Sequence, residues 1–379
     1  MKTNTGSKYV IEIILFLTYA LFAMSWKAGD FLIAKSGFAL TDVAIMTNAI
    51  NFAKIIGSLS AAAILAKLGY RNMYNMSTAL IISGVLLTMI EGFSPVFMVR
   101  FVLGLGGALV LVTINPVVAK LFSGEELTVV NGLNAVAFNV GLAVVLAMSG
   151  WIINNVNLTI QIISGVLVIT IIIWNMLIGC IEEPQGDSQA ATSEAQEQES
   201  YGMMDGLKER FNWVFALSYS GLLSFYLVAF TFMDPQNVKY VIFAGVVGAL
   251  AGTFKAKSFK NKLQLVRISS FLQVLSAIGF LFFYDTAWAK LLGALLGFLI
   301  FFPMPAYVTL AFLRKDTTPR RISITFSIFW AVSYAVSIFI VQAFAAIKLS
   351  MGTPAAFLFI IAVESSFFFG PLLFMRNDQ

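Results

Sequence analysis

Six ionisable residues lie inside long apolar runs of the chain: Glu12, Lys27, Asp30, Lys54, Arg100 and Glu364. A charge near the centre of a bilayer costs about 2.5–3.5 kcal/mol on insertion scales, so such residues face a polar cavity or a partner. Tyr19, Trp26 and Asp30 recur at i, i+7 and i+11, which places them on one face of a helix. Lys27 is one turn from Asp30 and is a candidate partner for it. Lys54 sits on a polar stripe of Asn48, Asn51, Lys54 and Ser58 at helical spacing, which reads as cavity lining. There an ammonium supplies a compact charge for an anion, and the asparagines donate or accept. The plainer readings of Lys54 are a salt bridge with Glu12 or Glu364, or snorkelling towards a helix end.

Further polar residues extend the candidate set. Asn115 precedes Pro116, and Asn131, Asn134 and Asn139 follow in the next run, the first two near its end, where they read equally as caps or helix bridges. In the second half, Tyr219, Tyr226, Tyr307, Ser327, Trp330, Ser333 and Tyr334 are candidates for an opposing wall, though each alone reads more readily as packing. The buried cations all fall in the first half, so charge recognition is expected there. The 36 phenylalanines read as lipid-facing or interfacial. With no histidine and one cysteine, Cys180, the chain offers no disulfide framework and no imidazole for haem, zinc or proton relay. Carboxylates must therefore handle any proton, and no cofactor or metal is implied.

The elements that position these residues follow from composition. Of the 379 residues 59% are hydrophobic and 11% charged, with a mean hydropathy of +0.88, which excludes an ordinary soluble globule. Apolar runs predict an all-α membrane protein of twelve helices, at about 9–34, 42–66, 75–92, 96–121, 129–153, 159–181, 211–232, 237–254, 265–284, 287–313, 322–347 and 354–375. The first run reads as a span, not a cleaved leader, because similar runs recur to the C-terminus. Between Glu182 and Lys208 the sequence turns to Glu, Gln, Ser, Ala and Gly, too polar to order itself. It divides six helices (1–181) from six (208–379), with 182–207 as a cytoplasmic linker. An internal repeat supports the division: Gly104 and Pro116 in the fourth run match Gly293 and Pro305 in the tenth.

With the N-terminus inside, Lys35, Lys239, Lys290 and Lys348 fall at outer ends and Lys27, Lys54 and Arg100 within spans, leaving 17 of the 24 Lys and Arg at inner ends. That split fits the positive-inside rule with both termini cytoplasmic. The net charge of +5 is then a matter of topology, and nucleic acid is not an expected partner.

Twelve spans in two halves joined by a polar inner loop resemble the major facilitator superfamily of secondary transporters. The segment Ala66-Lys67-Leu68-Gly69-Tyr70-Arg71 is similar to that family's G-x-L-a-D-r-x-G-r-r loop, with Ala66 in place of its acid. Arg100-Phe-Val-Leu-Gly104-Leu-Gly-Gly-Ala108 is similar to its R-x-x-x-G pattern. Phe138-Asn-Val-Gly141 and the short loops are faintly similar to the nitrate/nitrite and cyanate porter branch, without its glycine-rich signature. The resemblance implies two pseudo-symmetric six-helix bundles rocking about a central site lined by helices 1, 4, 7 and 10. It also implies that the first and fourth runs pack together, so that Asp30 and Arg100, both in outer halves, are candidates to pair. Either they form a proton-coupling pair, since desolvation raises a carboxylate's proton affinity and a cation lowers it, or they form a static ion pair. If Lys27 holds Asp30 instead, Arg100 is left for substrate. Glu364 is a structural or coupling acid.

These readings point to a proton-coupled secondary transporter for a small anionic or polar organic solute, monomeric, in a bacterial inner membrane. Its partners are the solute, protons and the lipid bilayer. The proton-coupling candidates are Asp30, Arg100 and Glu364, and the substrate candidates are Lys54, Asn51, Asn48, Trp26, Tyr19, Asn115, Tyr219, Tyr307 and Trp330. The alternative is a proton-driven efflux antiporter for amphipathic or cationic compounds, with Asp30 or Glu364 meeting the substrate's charge. An enzyme or receptor has no motif in its favour: no metal cluster, nucleotide loop or activated nucleophile is present in the sequence.

Overall fold

A computed structural model describes residues 5–180, 201–255, 259, 261–314 and 318–373, so most of the polar stretch 182–207 lies outside the described residues. Helices and turns account for the described chain. In hydrocarbon a helix satisfies its own backbone polar groups, which is why apolar runs of this length take that form. The first half comprises α1 (Thr5–Lys35), α2 (Leu40–Ile82), α3 (Phe93–Leu121), α4 (Gly124–Ala147), the short α5 (Ser149–Asn154) and α6 (Val156–Leu177). The second comprises α7 (Met203–Lys208), α8 (Arg210–Phe232), α9 (Pro235–Lys255), α10 (Lys262–Phe282), α11 (Trp288–Phe301), α12 (Met304–Thr309), α13 (Pro319–Met351), α14 (Thr353–Glu364) and α15 (Ser366–Phe369). Among the described residues, eleven helices are long and apolar enough to cross a membrane.

The stretch expected as a third span, 75–92, falls on the second of two helices that meet within α2 and on the 3-10 segment after it. α2 runs on to Ile82, and a 3-10 segment follows over Ser83–Thr88. The two parts of α2 meet at Gly69, whose φ of 71° lies in the left-handed region that a side chain disfavours. The neighbouring residues fasten this joint. Arg71 Nε donates to Asn175 Oδ1 at 2.9 Å, and Lys120 lies 4.8 Å from the centre of the Tyr70 ring.

Packing divides the chain into two compact units: Met1–Pro184 with Phe230–Phe243, and Gln185–Ala229 with Ala244–Gln379. In the first, α2 and α3 approach closely at small residues. A side chain at Gly104 would stand 2.7 Å from the Ile50 Cα, and one at Gly57 would stand 2.5 Å from the Ala108 Cβ. This close approach, the use expected of small residues between membrane helices, sets Lys54 of α2 and Arg100 of α3 at fixed positions. α1 packs on α4 through Gly141, where an added Cβ would lie 2.1 Å from the Ala20 carbonyl oxygen. Ala28, Phe31, Val145, Ile152, Val156 and Ile160 bury an apolar cluster among α1, α4, α5 and α6.

Candidate functional site

The first unit holds the buried charges. Arg100 Nη2 donates to Asp30 Oδ1 at 2.6 Å, with Arg100 fully buried and Asp30 4% exposed. Asp30 therefore pairs with Arg100, between α1 and α3. The guanidinium also donates to the Trp26 carbonyl at 3.2 Å and to the Met46 carbonyl at 3.4 Å, which ties α1, α2 and α3 to one side chain. A rigid fork of five donors suits such a three-way tie, and an ammonium does not. The second carboxyl oxygen of Asp30 is buried without a hydrogen bond.

Lys27 makes its hydrogen bond elsewhere. Its ammonium donates to the Phe230 carbonyl, within the same packing unit, and lies 4.6 Å from the centre of the Phe31 ring. The expectation of Lys27 as a candidate partner for Asp30 gives way, by direct geometry, to Arg100.

Lys54 is 5% exposed and packs against the face of α1 predicted from the heptad spacing. Its Nζ lies 4.9 Å from the Trp26 ring, 5.0 Å from Phe138 and 5.4 Å from Phe22. Three ring faces stabilise an ammonium through their quadrupoles, each by about 0.5–2 kcal/mol. Phe22 sits over Gly107, where a Cβ would come within 2.3 Å of the ring, so glycine there lets the aromatic wall reach Lys54. Tyr19 extends the wall, its ring 5.8 Å from both Phe22 and Phe138. Within the first unit no salt bridge joins Lys54 to Glu12. Glu12 has neither oxygen hydrogen-bonded, and Glu364 bonds Gln273.

Polar atoms without partners collect on the same stretch. The Trp26 indole N–H, Asn51 Oδ1, Thr47 Oγ1 and Asp30 Oδ2 are all buried with no hydrogen bond. Asn51 Nδ2 donates to Asn48 Oδ1 at 3.3 Å, which leaves the Asn51 oxygen as an acceptor. Buried polar groups are ordinarily paired, so these atoms beside a buried lysine have hydrogen-bonding capacity that water or a polar ligand can meet. Asn115, by contrast, is exposed on α3.

In the second unit Tyr307 is fully buried, its ring 4.7 Å from that of Phe215, and its hydroxyl donates to the Phe215 carbonyl. Tyr219 stands edge-on to Trp330 at 5.9 Å, and Trp330 stacks on Tyr334 at 5.8 Å. Glu364 is fully buried at the end of α14 and accepts a 2.5 Å bond from Gln273 Nε2 of α10. Phe138 figures in the sequence only as part of the Phe138–Gly141 motif, with nothing to set its ring beside Lys54, and Gln273 is not singled out, although a neutral amide in an apolar run is a visible signal.

Two carboxylates just outside the spans make three ion pairs at helix ends. Glu126 binds Lys8 at 2.7 Å and also accepts from Tyr9, and the Lys8 hydrogen bond foremost holds the Glu126 carboxyl below its ordinary value. Glu209 binds Arg314 at 2.7 Å and Arg321 at 2.6 Å. Burial pushes the Glu209 carboxyl up, but the bonds and charges of the two arginines outweigh it and hold it below the usual glutamate range.

An all-helical architecture with eleven membrane-length apolar helices among the described residues defines an integral multi-pass membrane protein. The Major Facilitator Superfamily profile matches residues 11–341, and the chain belongs to that superfamily: it is a transporter, not an enzyme. Uncharacterized protein Cj0987c of Campylobacter jejuni subsp. jejuni serotype O:2 is 27% identical over 241 residues, spanning 62% of this chain and 72% of that protein. The crystal structure of a D-xylose-proton symporter shares the fold at a TM-score of 0.69 and 13% identity, over 98% of this chain and 99% of that one.

Proposed function

We propose that this transporter moves a small anionic or polar organic solute by alternating access, coupled to protons, with Lys54 as the charge that meets the solute and Asp30 as the proton acceptor. The observation that carries the reading is the joint at Trp26. Its ring faces Lys54 and its carbonyl accepts from the Arg100 that neutralises Asp30. Adding a proton to Asp30 removes the charge that Arg100 balances, so the guanidinium's hold on α1, α2 and α3 changes at once. An anion arriving at Lys54 acts on the same Trp26 from the other side. Asn48, Asn51 and the Trp26 indole N–H supply the polar contacts that orient the solute, and Tyr19 bounds it. Glu364, with Gln273, serves as an acid in the second unit.

Two six-helix bundles, 1–181 and 208–379 joined by a cytoplasmic linker at 182–207, would provide the two rocking bodies. Both termini would face the cytoplasm of a bacterial inner membrane, and the working unit would be a monomer. The D-xylose-proton symporter of the same fold supports coupling to protons. Proteoliposomes bearing the protein, offered radiolabelled small carboxylates under an imposed pH gradient, test the reading. Uptake above that of empty vesicles is expected, and Lys54→Gln should abolish it; unchanged uptake in that variant would overturn the role of Lys54.

One observation favours a second reading, proton-driven efflux of amphipathic cations: three ring faces around one ammonium also suit a ligand cation. In that case Lys54→Gln keeps efflux of a cationic dye, and Asp30→Asn loses it.

A further inference from the structure

On the packed face between α1 and α4, four polar atoms of two side chains have no hydrogen bond: both carboxyl oxygens of Glu12, and Nδ2 and Oδ1 of Asn134. Glu12 is 7% exposed and Asn134 6%. Glu12 on α1 and Asn134 on α4, two helices packed on each other, lie within reach of one another. An ionised carboxylate without a partner in such a place is among the costliest arrangements a protein can hold.

Several charged and titratable groups on the elements packed around Glu12 are held by other residues. On α1, Lys8 is held by Glu126 of α4 at 2.7 Å and Tyr9 donates to the same carboxylate. On α2, Lys54 faces Trp26, Phe22 and Phe138, Tyr74 shares a 2.6 Å bond with Thr18, and Tyr70 faces Lys120 of α3. Arg100 of α3 is bound to Asp30, and α6 carries no ionisable residue. Among the described residues, no salt bridge or hydrogen bond reaches the Glu12 carboxyl.

We infer that Glu12 and Asn134 form a second proton-binding site on α1. The chemistry closes with one proton taken from water. The carboxylic acid O–H donates to Asn134 Oδ1, and Asn134 Nδ2 donates to the other carboxyl oxygen, so all four atoms gain a partner and the buried charge disappears. No covalent bond other than that to the proton forms or breaks. A divalent metal ion, which takes six or more oxygen ligands, is poorly served by one carboxylate and one amide.

The same acid and amide pairing recurs in the second unit. Gln273 Nε2 donates to Glu364 Oε1 at 2.5 Å, and the atoms left over, Glu364 Oε2 and Gln273 Oε1, are both acceptors. One proton supplies the donor that this pair lacks. In the first unit, Glu12 and Asp30 stand 18 residues apart in sequence, which at about 100° per residue returns to the same helix face roughly 27 Å further along. Tyr19 and Trp26 lie between them on that face, with Lys54 against it. The two carboxyls therefore mark the two ends of one stripe, Asp30 beside its arginine and Glu12 beside its amide. The assignment of Glu12 as the end station of a proton route rests on the proposed coupling at Asp30; its protonation does not.

Infrared spectroscopy of the purified protein in lipid tests the site without a known solute, since the probe is the proton itself. In neutral buffer the wild type is expected to show the C=O stretching band of protonated carboxyls, and Glu12→Gln, which keeps shape and neutrality, should remove one component. Asn134→Leu should shift that component to higher frequency, because the acid loses its hydrogen bonds. Glu364→Gln should remove a different component, which serves as the internal control. A Glu12→Gln spectrum identical to the wild type from acid to neutral pH would overturn the inference. If that variant fails to fold, an unmoved band in Asn134→Leu does the same. Loss of the Glu12 component on exchanging potassium for sodium would also overturn it, in favour of a metal cation. Failed transport with an intact Glu12 band would count against the proposed coupling alone.

Discussion

Replacing Arg100 by methionine removes a cation and three hydrogen bonds in one step, to Asp30 at 2.6 Å, the Trp26 carbonyl at 3.2 Å and the Met46 carbonyl at 3.4 Å. The Asp30 carboxylate is then left buried, with both oxygens unpaired. Breaking a buried pair from one side costs about 3–5 kcal/mol. That is roughly two to three and a half powers of ten in the folding equilibrium. Arg100→Lys keeps the charge near Asp30 but cannot hold all three acceptors. Losing two carbonyl bonds at about 0.5–1.5 kcal/mol each gives a cost of about 1–3 kcal/mol. Removing both charges, as Asp30→Leu with Arg100→Met, leaves no uncompensated ion, and such replacements are often neutral. The expected order of stability is therefore double variant, then Arg100→Lys, then Arg100→Met. Equilibrium unfolding in mixed micelles with rising denaturing detergent, followed by tryptophan fluorescence, measures it. A double variant less stable than either single one would refute the reasoning, because it would mean that the two residues contribute independently.

Gly141→Ala should force α1 away from α4, since its Cβ would lie 2.1 Å from the Ala20 carbonyl oxygen, at a cost of about 1–3 kcal/mol in thermal stability. Gly150→Ala, with nothing within 4 Å of the new Cβ, is the control and should change stability by less than about 0.5 kcal/mol. Glu209 lies below its ordinary carboxylate value, so the stability of its clamp is present above the unfolded value and lost only as pH falls through the folded one. Thermal melts of the wild type and Glu209→Gln should thus differ at neutral pH and converge in acid below the usual glutamate range; a difference that grows as pH falls would contradict the clamp.

Much of this was legible in the residue types. Ions inside apolar runs have to find partners, and Asp30 and Arg100 did so across two helices, while Lys54 docked on the face that the spacing of Tyr19 and Trp26 defines. The identity of partners was less legible, because it depends on how helices approach. Lys27 is one turn from Asp30 in sequence, yet its ammonium reaches the Phe230 carbonyl, 203 positions away. Asn134 read as a helix-end bridge, and only its burial beside Glu12 gives it a role. The joint at Gly69 was legible: it falls in the Ala66–Arg71 segment read as the loop between the second and third runs, and a single residue at positive φ makes the break.

The central claim, that proton movement and solute movement meet at Asp30, is tested most directly by a pH-sensitive dye sealed inside proteoliposomes while a solute gradient is imposed. The account predicts that solute entry acidifies or alkalinises the lumen in the wild type, and that Asp30→Asn still exchanges labelled for unlabelled solute while moving no protons. Undiminished proton movement in Asp30→Asn would contradict it.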